Sequence, residues 1–244
     1  MLIGITGNIG HGKTTFADML ADCAPTSQHY ESSDIIIEVA NALKMQKLPL
    51  ADDPASISAW LSALPLFLAQ FAHYVPAQKL STIGSADIKT EPDAFSALFN
   101  YITLITKSPA LRSVTITRAN KDQFRPLLQW LGGYVATRVD GQIWFREIVR
   151  RAHLSNSDLT LAGGVRFLAD AECLRAAGGI IIQISRPATD KAFLNDITES
   201  QRSLIQADSN VINDGTLLNL RSIAHKLYTD VKQDNLQIHY ATIA

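Results

Sequence analysis

Residues 7–14 read Gly-Asn-Ile-Gly-His-Gly-Lys-Thr and follow directly on the apolar run Leu2-Ile3-Gly4-Ile5-Thr6. A strand that ends in a glycine-rich turn and passes at once into a helix is half of a βαβ unit. The helix is expected to begin near Lys13, with Phe16, Met19 and Leu20 on its apolar side. This junction commits the chain to an α/β fold with a parallel sheet. A glycine, four free residues and then Gly-Lys-Thr arise by chance in roughly one chain in a hundred of this length, before the flanking strand and helix are counted.

The residue types in the loop suit a polyphosphate. Glycines let successive backbone N–H groups turn inward, and the loop ends on a helix amino terminus whose dipole favours anions. Lys13 adds an ammonium that reaches the β- and γ-phosphates, and the Thr14 hydroxyl is a hard oxygen ligand for Mg²⁺. The expected nucleotide-binding residues are Gly7, Asn8, Ile9, Gly10, His11, Gly12, Lys13, Thr14 and Thr15, with Thr14 on the metal. The His11 side chain itself reads as an exposed loop residue.

Strand and helix signals recur along the chain. A second strand is expected over His29 to Ser33, then a helix carrying Ile35, Ile36, Val39, Ala40 and Leu43. From Pro49 to about Asn120 the pattern becomes helical, with one stripe at Ile57, Trp60, Leu61 and Leu64 and another at Phe95, Leu98, Phe99, Ile102 and Ile105. The stretch from Ser81 to Glu91 reads as a link. Asn120 and Gln123 have capping-box spacing, and the helix they start is expected to stop at Gly132-Gly133.

A helix with Ile143, Trp144 and Ile148 follows, then a strand over Leu159 to Ala162, a helix over Leu168 to Ala177 and an unbroken β-rich run from Gly179 to Ser185. Such a run marks a strand covered on both faces. A short strand over Asn210 to Asn213 precedes a helix with Leu217, Leu220, Ile223 and Leu227, and the tail Leu236, Ile238, Tyr240 and Thr242 has the period of an edge strand. The expected fold is a doubly wound parallel sheet of about five strands. Its core comprises residues 1–48 and 121–244, and residues 49–120 form a helical insertion that is either an acceptor-binding cap or purely structural.

Composition narrows the partners. With 47% hydrophobic and 18% charged residues the chain belongs among folded globular proteins. A net charge of −1 provides no broad basic field for a nucleic-acid polymer or an acidic membrane surface. Cys23 and Cys173 have neither metal nor disulfide spacing and read as buried small apolar residues, which fits a reducing cytoplasm. No basic leader precedes the first strand, and no apolar run approaches the roughly 20 residues of a membrane span. A homodimer is compatible with the sequence.

Four segments of the chain resemble the deoxynucleoside monophosphate kinases, a phage and bacterial branch of the P-loop kinases, and more distantly the dephospho-coenzyme A kinases. The first is the loop at Gly7 to Thr14. The second is Arg125-Pro126-Leu127-Leu128-Gln129-Trp130-Leu131-Gly132, then Arg138 and Asp140-Gly141-Gln142-Ile143-Trp144. The third is Val165-Arg166-Phe167 with Glu172, followed by Gly178-Gly179 and Arg186-Pro187. The fourth is Thr198-Glu199-Ser200 and then Asn213-Asp214-Gly215 with Leu217 and Leu220. Residues 49 to about 120 carry no part of the resemblance.

The resemblance implies a P-loop fold, ATP as donor with Mg²⁺, and a small nucleotide as acceptor. It implies that Arg125, Arg138 and Arg166 clamp donor or acceptor phosphates, as planar guanidinium forks suit spreading phosphoryl charge. Each is otherwise a helix-surface ion pair. Arg186 is either a residue that closes over ATP or a surface arginine after a strand. The absence of an Asn-Lys-x-Asp segment favours adenine over guanine.

Two positions complicate the expectation. Relatives carry an aspartate just before the Val-Arg-Phe tripeptide, where this chain has Gly163-Gly164. Asp158, Asp34 or Glu172 then serves the metal and its water, or the chain binds nucleotide with little turnover. Asp34 is either a helix-capping residue or, as in dephospho-coenzyme A kinases, the base for an acceptor hydroxyl. The three resulting expectations are a nucleoside monophosphate kinase, a hydroxyl kinase and a nucleotide-binding module.

Overall fold

A computed structural model of the 244-residue chain describes residues 1–45, 55–56, 59–60, 62–63, 92–136, 140–187, 202–234 and 239–241. These form two compact units, Met1–Ser32 with Ile148–Ala244, and Ser33–Glu147. The first is an α/β layer built on a six-stranded sheet, all of whose pairings are parallel. Its strands are β1 (Leu2–Thr6), β2 (Ser27–Glu31), β3 (Leu159–Gly163), β4 (Ile180–Ser185), β5 (Ser209–Ile212) and β6 (His239–Ala241), in the spatial order β2-β3-β1-β4-β5-β6.

The central strands form because they are apolar on both sides. Every residue of β3 is buried, and β1 is buried from Ile3 to Thr6. One face of the sheet packs on α1 (Lys13–Ala21) and on the C-terminal helix Leu217–Lys232. Ile3, Ile5, Leu159, Leu161, Ile182, Ile184 and Val211 meet Phe16, Leu20, Leu220 and Leu227 in one core there. The opposite face carries the helix Leu168–Ala176. A Cβ added at Gly4 would lie 2.6 Å from Leu174 Cδ1 and 2.7 Å from Ile181 Cδ1, so only glycine lets that helix seat. Helices therefore cover both faces.

The chain runs from β1 to one edge at β2, returns through β3, and then crosses to the other side at β4. Strand order reverses about β1, and open α/β sheets take ligands beyond the carboxyl ends of the strands at such a reversal. The loop of residues 7–12 leaves β1 at that position.

The second unit is helical. Its elements are α2 (Ser32–Met45), α3 (Pro92–Lys107), α4 (Pro109–Ser113), α5 (Arg125–Gln129) and α6 (Ile143–Leu154); α2 and α6 carry the chain to and from the first unit. With these labels the helix Leu168–Ala176 is α7 and Leu217–Lys232 is α8. Leu98, Ile102 and Ile105 of the expected α3 stripe are buried, together with Tyr101, which the pattern did not include, and alongside Phe124, Leu127 and Trp130; Phe99 is only half-buried and the Phe95 side chain lies outside the described residues. Trp60 packs on Trp130 with ring centroids 5.9 Å apart, whereas Ile57, Leu61, Leu64 and the Ser81 to Glu91 stretch lie outside the described residues.

Several boundaries differ from expectation for physical reasons. β2 begins and ends two residues earlier, at Ser27 and Glu31, because Asp158 fixes its entry through Thr26 and Ser32 already starts α2. Gly132-Gly133 does not end a helix. The chain passes through it in a wide π turn over Trp130–Val135, held by Trp130 stacked on Tyr134 at 5.7 Å and by close approach of Gly132 to Ile36. Asn120 makes no side-chain cap. Its Oδ1 accepts from Thr117 N and its Nδ2 donates to Thr115 O, closing the preceding turn around a 3₁₀ helix over Lys121–Phe124. Cys173 is buried as expected, but Cys23 is only half-buried and donates to Met19 O.

Of the tail pattern, Tyr240 lies in β6 beside β5, and Leu236, Ile238 and Thr242 lie outside the described residues. Among the described residues no helix is long and apolar enough to cross a membrane.

Candidate functional site

The loop between β1 and α1 is built on three glycines with positive φ: Gly7 at 145°, Gly10 at 83° and Gly12 at 91°. Gly7 is the tightest, since a Cβ there would run into the carbonyl oxygen of Ile184 on β4. At Gly12 an added Cβ would lie 2.5 Å from Asn213 Nδ2. The backbone thus approaches its neighbours too closely for side chains at both ends of the loop. A turn from Asn8 to His11 lies between them, with His11 N donating to Asn8 O at 3.3 Å.

Helix α1 takes Gly12 as its N-cap, with no side-chain cap hydrogen bond and no acidic residue in its first turn. The start of α8 differs, because there Thr216 Oγ1 accepts from Asn219 N and caps the helix, whereas α4 and α5, like α1, have no side-chain cap. Gly12 has no side chain to cap the first turn, and the positive end of a helix dipole favours an anion there. Thr14 and Thr15 lie exposed in that turn, and Ile9 and Gly10 are exposed in the loop. Lys13 folds back so that Nζ donates to Gly7 O and Asn8 O, each at 2.7 Å. The ammonium therefore sits over the loop rather than extending into solvent.

Three side chains that the sequence did not assign to the loop brace it. Arg202 NH1 donates to Asn8 Oδ1 at 3.0 Å. Asn213 Nδ2 donates to His11 O at 2.9 Å, and Asn213 N donates to Ser185 O at 2.7 Å, which ties the loop to the ends of β4 and β5. Thr6 Oγ1 donates to Val165 O at 2.9 Å and locks the end of β1 to the segment after β3. His11 is the correction within the motif, for it is 2% exposed and not a surface side chain. Its Nδ1 lies 3.2 Å from Ile184 O, so the ring fills the space under the loop. The motif pattern specifies only its glycines, lysine and threonine, and so gives no signal for the buried direction of this free position.

Arg166 and Arg186 follow β3 and β4 at the same carboxyl edge of the sheet, and both are exposed. The backbone around Arg166 is held by Asp170, whose Oδ2 accepts from Arg166 N and Phe167 N at 3.0 Å each. Burial pushes the Asp170 carboxyl up to about 6, against the opposing pull of those two amides and of the Arg166 charge. Arg125 is an exposed residue at the start of α5 in the helical unit, and Arg138 lies outside the described residues.

Of the three acids expected to replace the missing aspartate, Asp158 and Asp34 are engaged by other side chains. Asp158 precedes β3 at the amino edge of the sheet, opposite the loop. Its Oδ2 accepts from Thr26 N and Oγ1, and the Thr26 hydroxyl is the leading cause that lowers its pKa. Asp34, in the first turn of α2, is held by both Nε and NH2 of Arg118 in a bidentate pair. Glu172 is exposed in the middle of α7. A cavity of about 450 Å³ lined by Met1, Leu2, Asp158, Gly178, Ile180 and Tyr228 also lies at the amino edge, away from the loop.

Among the described residues no cluster of three or more His, Cys, Asp or Glu side chains is placed to hold a metal ion. The exposed hydroxyl at Thr14 nevertheless fits a cation bound largely through phosphate oxygens and water, the usual mode for Mg²⁺. No protein-family model matches this chain, and no curated protein is detectably similar to it.

Proposed function

We propose that the chain is a P-loop phosphotransferase that binds ATP on residues 7–15 and transfers the γ-phosphoryl group to a (deoxy)nucleoside monophosphate. The observation that carries this reading is the amino end of α1. It is a helix start with no side-chain cap, entered through three positive-φ glycines and bearing Lys13 at its first position, and it lies at the carboxyl end of β1 where strand order reverses.

In this reading the loop amides and Lys13 hold the β- and γ-phosphates. The Thr14 hydroxyl offers one ligand to Mg²⁺, which when bound neutralises phosphate charge. An acceptor phosphate oxygen attacks the γ-phosphorus, the bond to the β–γ bridging oxygen breaks, and ADP leaves. Arg166 stabilises the spreading charge, while Arg125 and Arg138 are assigned to the acceptor phosphate through the family resemblance. Arg186 closes over the nucleotide.

A monophosphate acceptor is already ionised and needs no base, whereas a hydroxyl acceptor benefits from one. Both carboxylate oxygens of Asp34 are engaged by Arg118, which favours the monophosphate. The experiment is ADP release from ATP in the presence of each of the four deoxynucleoside monophosphates and of dephospho-coenzyme A. Release dependent on at least one monophosphate is expected. Release with dephospho-coenzyme A alone moves the assignment to a hydroxyl kinase, and ATP binding with no acceptor-dependent release makes the chain a nucleotide-binding module.

A further inference from the structure

The end of β3 carries two adjacent glycines, and the space their side chains would occupy is filled from the neighbouring strand. A Cβ at Gly163 would overlap Glu31 Oε1 and lie 2.6 Å from Oε2, and one at Gly164 would lie 3.2 Å from Oε2 and 2.9 Å from Ser32 Oγ. Glu31 is the last residue of β2 and pairs in register with Gly163. Parallel partners in register project to the same face of a sheet, and so do residues two and four apart on one strand. Leu161 and Leu159 of β3 pack in the core with Phe16, Ala17 and Leu20 of α1, which fixes that face as the α1 face. The Glu31 carboxylate therefore lies at the carboxyl edge of the sheet, on the side from which α1 and Thr14 begin.

We propose that Glu31 supplies, from β2, the carboxylate that the resembled kinases carry just before their Val-Arg-Phe tripeptide, and that it positions the water shell of a nucleotide-bound Mg²⁺. This rests on the phosphotransferase reading above and deepens it. Adjacent strands lie about 4.8 Å apart, so the acid must reach sideways across one strand, and the two glycines leave its path clear. His29, on the same strand and face, places Nε2 3.2 Å from Glu31 Oε1 and limits the directions the carboxylate takes. The Glu31 side chain retains 23% exposure, so the carboxylate remains within reach of water. Mg²⁺ keeps several waters when bound to phosphates, and a carboxylate acceptor orients them without joining the inner coordination sphere.

The test compares the affinity for ATP with and without Mg²⁺, by calorimetry, in the parent chain, in Glu31→Gln, and in a swap that combines Glu31→Ala with Gly163→Asp. The parent is expected to bind ATP about tenfold more tightly with Mg²⁺ than without it, in line with the contribution of outer-shell partners. Glu31→Gln should keep its metal-free affinity and lose most of that increment, and the swap should restore it by moving the carboxylate to β3. A Glu31→Gln chain with the parent's increment overturns the proposal, as does a swap that restores nothing. Absence of a Mg²⁺ increment in a parent that binds ATP also overturns it while leaving ATP binding standing, whereas a parent that binds no ATP overturns the function itself.

Discussion

Replacing Lys13 with alanine is expected to reduce phosphoryl transfer by about 10³-fold while leaving a folded chain. The Lys13 ammonium now donates to the carbonyls of Gly7 and Asn8, both on the loop it overhangs. In the proposed function an entering polyphosphate offers the same donors phosphate oxygens in place of these neutral acceptors, and charge-assisted hydrogen bonds are about twice as strong as neutral ones. Removal therefore costs much more in the bound state and in transfer than in the empty protein. The substitution forfeits the hydrogen bonds to Gly7 O and Asn8 O of a half-buried side chain, and no residue of the sheet core touched by Phe16 or Leu20 changes. Steady-state transfer and a far-ultraviolet dichroism spectrum check both halves. A variant that turns over as fast as the parent would remove Lys13 from the site.

The second large effect is at Gly7. Its φ of 145° is unfavourable for any residue with a side chain, and the first atom of that side chain would meet Ile184 O, which belongs to the backbone of β4. Because β4 is paired on one side with β1 and on the other with β5, it has no room to withdraw. Gly7→Ala should therefore cost about 2–3 kcal/mol of stability and abolish ATP binding together with it. Gly10→Ala is the control: Gly10 has φ 83°, but nothing lies within 4 Å of its added Cβ, so only backbone strain of about 1–2 kcal/mol remains. Urea unfolding of the two variants measures the difference. An unchanged midpoint for Gly7→Ala would mean that the close approach to β4 is not a constraint on the loop.

The elements read most directly from the chain are those whose burial is two-sided. β1, β3 and β4 are largely apolar runs, broken by Thr160 in β3 and by Gln183 and Ser185 toward the end of β4, and α8 has apolar residues at helical spacing, so their local pattern and tertiary environment agree. β2 has the sequence Ser-Gln-His-Tyr-Glu and occupies a sheet edge, where half-exposed positions carry no apolar alternation; its register is set by β3 and by Asp158 at Thr26. The π turn at Trp130 was hidden for a related reason. Glycines at 132 and 133 signal a helix end locally, and only the packing of Trp130, Tyr134 and Ile36 shows why the chain continues.

The candidate site divides in the same way. The place of the glycines, Lys13 and Thr14 in a turn between β1 and α1 was legible because an apolar strand, a glycine-rich turn and an amphipathic helix follow one another directly. Arg202, Asn213 and Glu31 were not, since each reaches the loop or its flanking strand ends from a distant part of the chain or from a neighbouring strand. Gly163-Gly164 did register as a missing carboxylate. What the sequence could not show is that the vacated space is shared with the end of β2.

In the proposed function, backbone N–H groups at the start of α1 receive a triphosphate. Its most direct test is the amide nuclear magnetic resonance spectrum of the chain titrated with ATP and Mg²⁺. The prediction is saturable shifts concentrated at Gly10, Gly12, Lys13 and Thr14, with the amides of α8 little changed. Saturable shifts that spare those four amides, or no shifts at millimolar ATP, would contradict it.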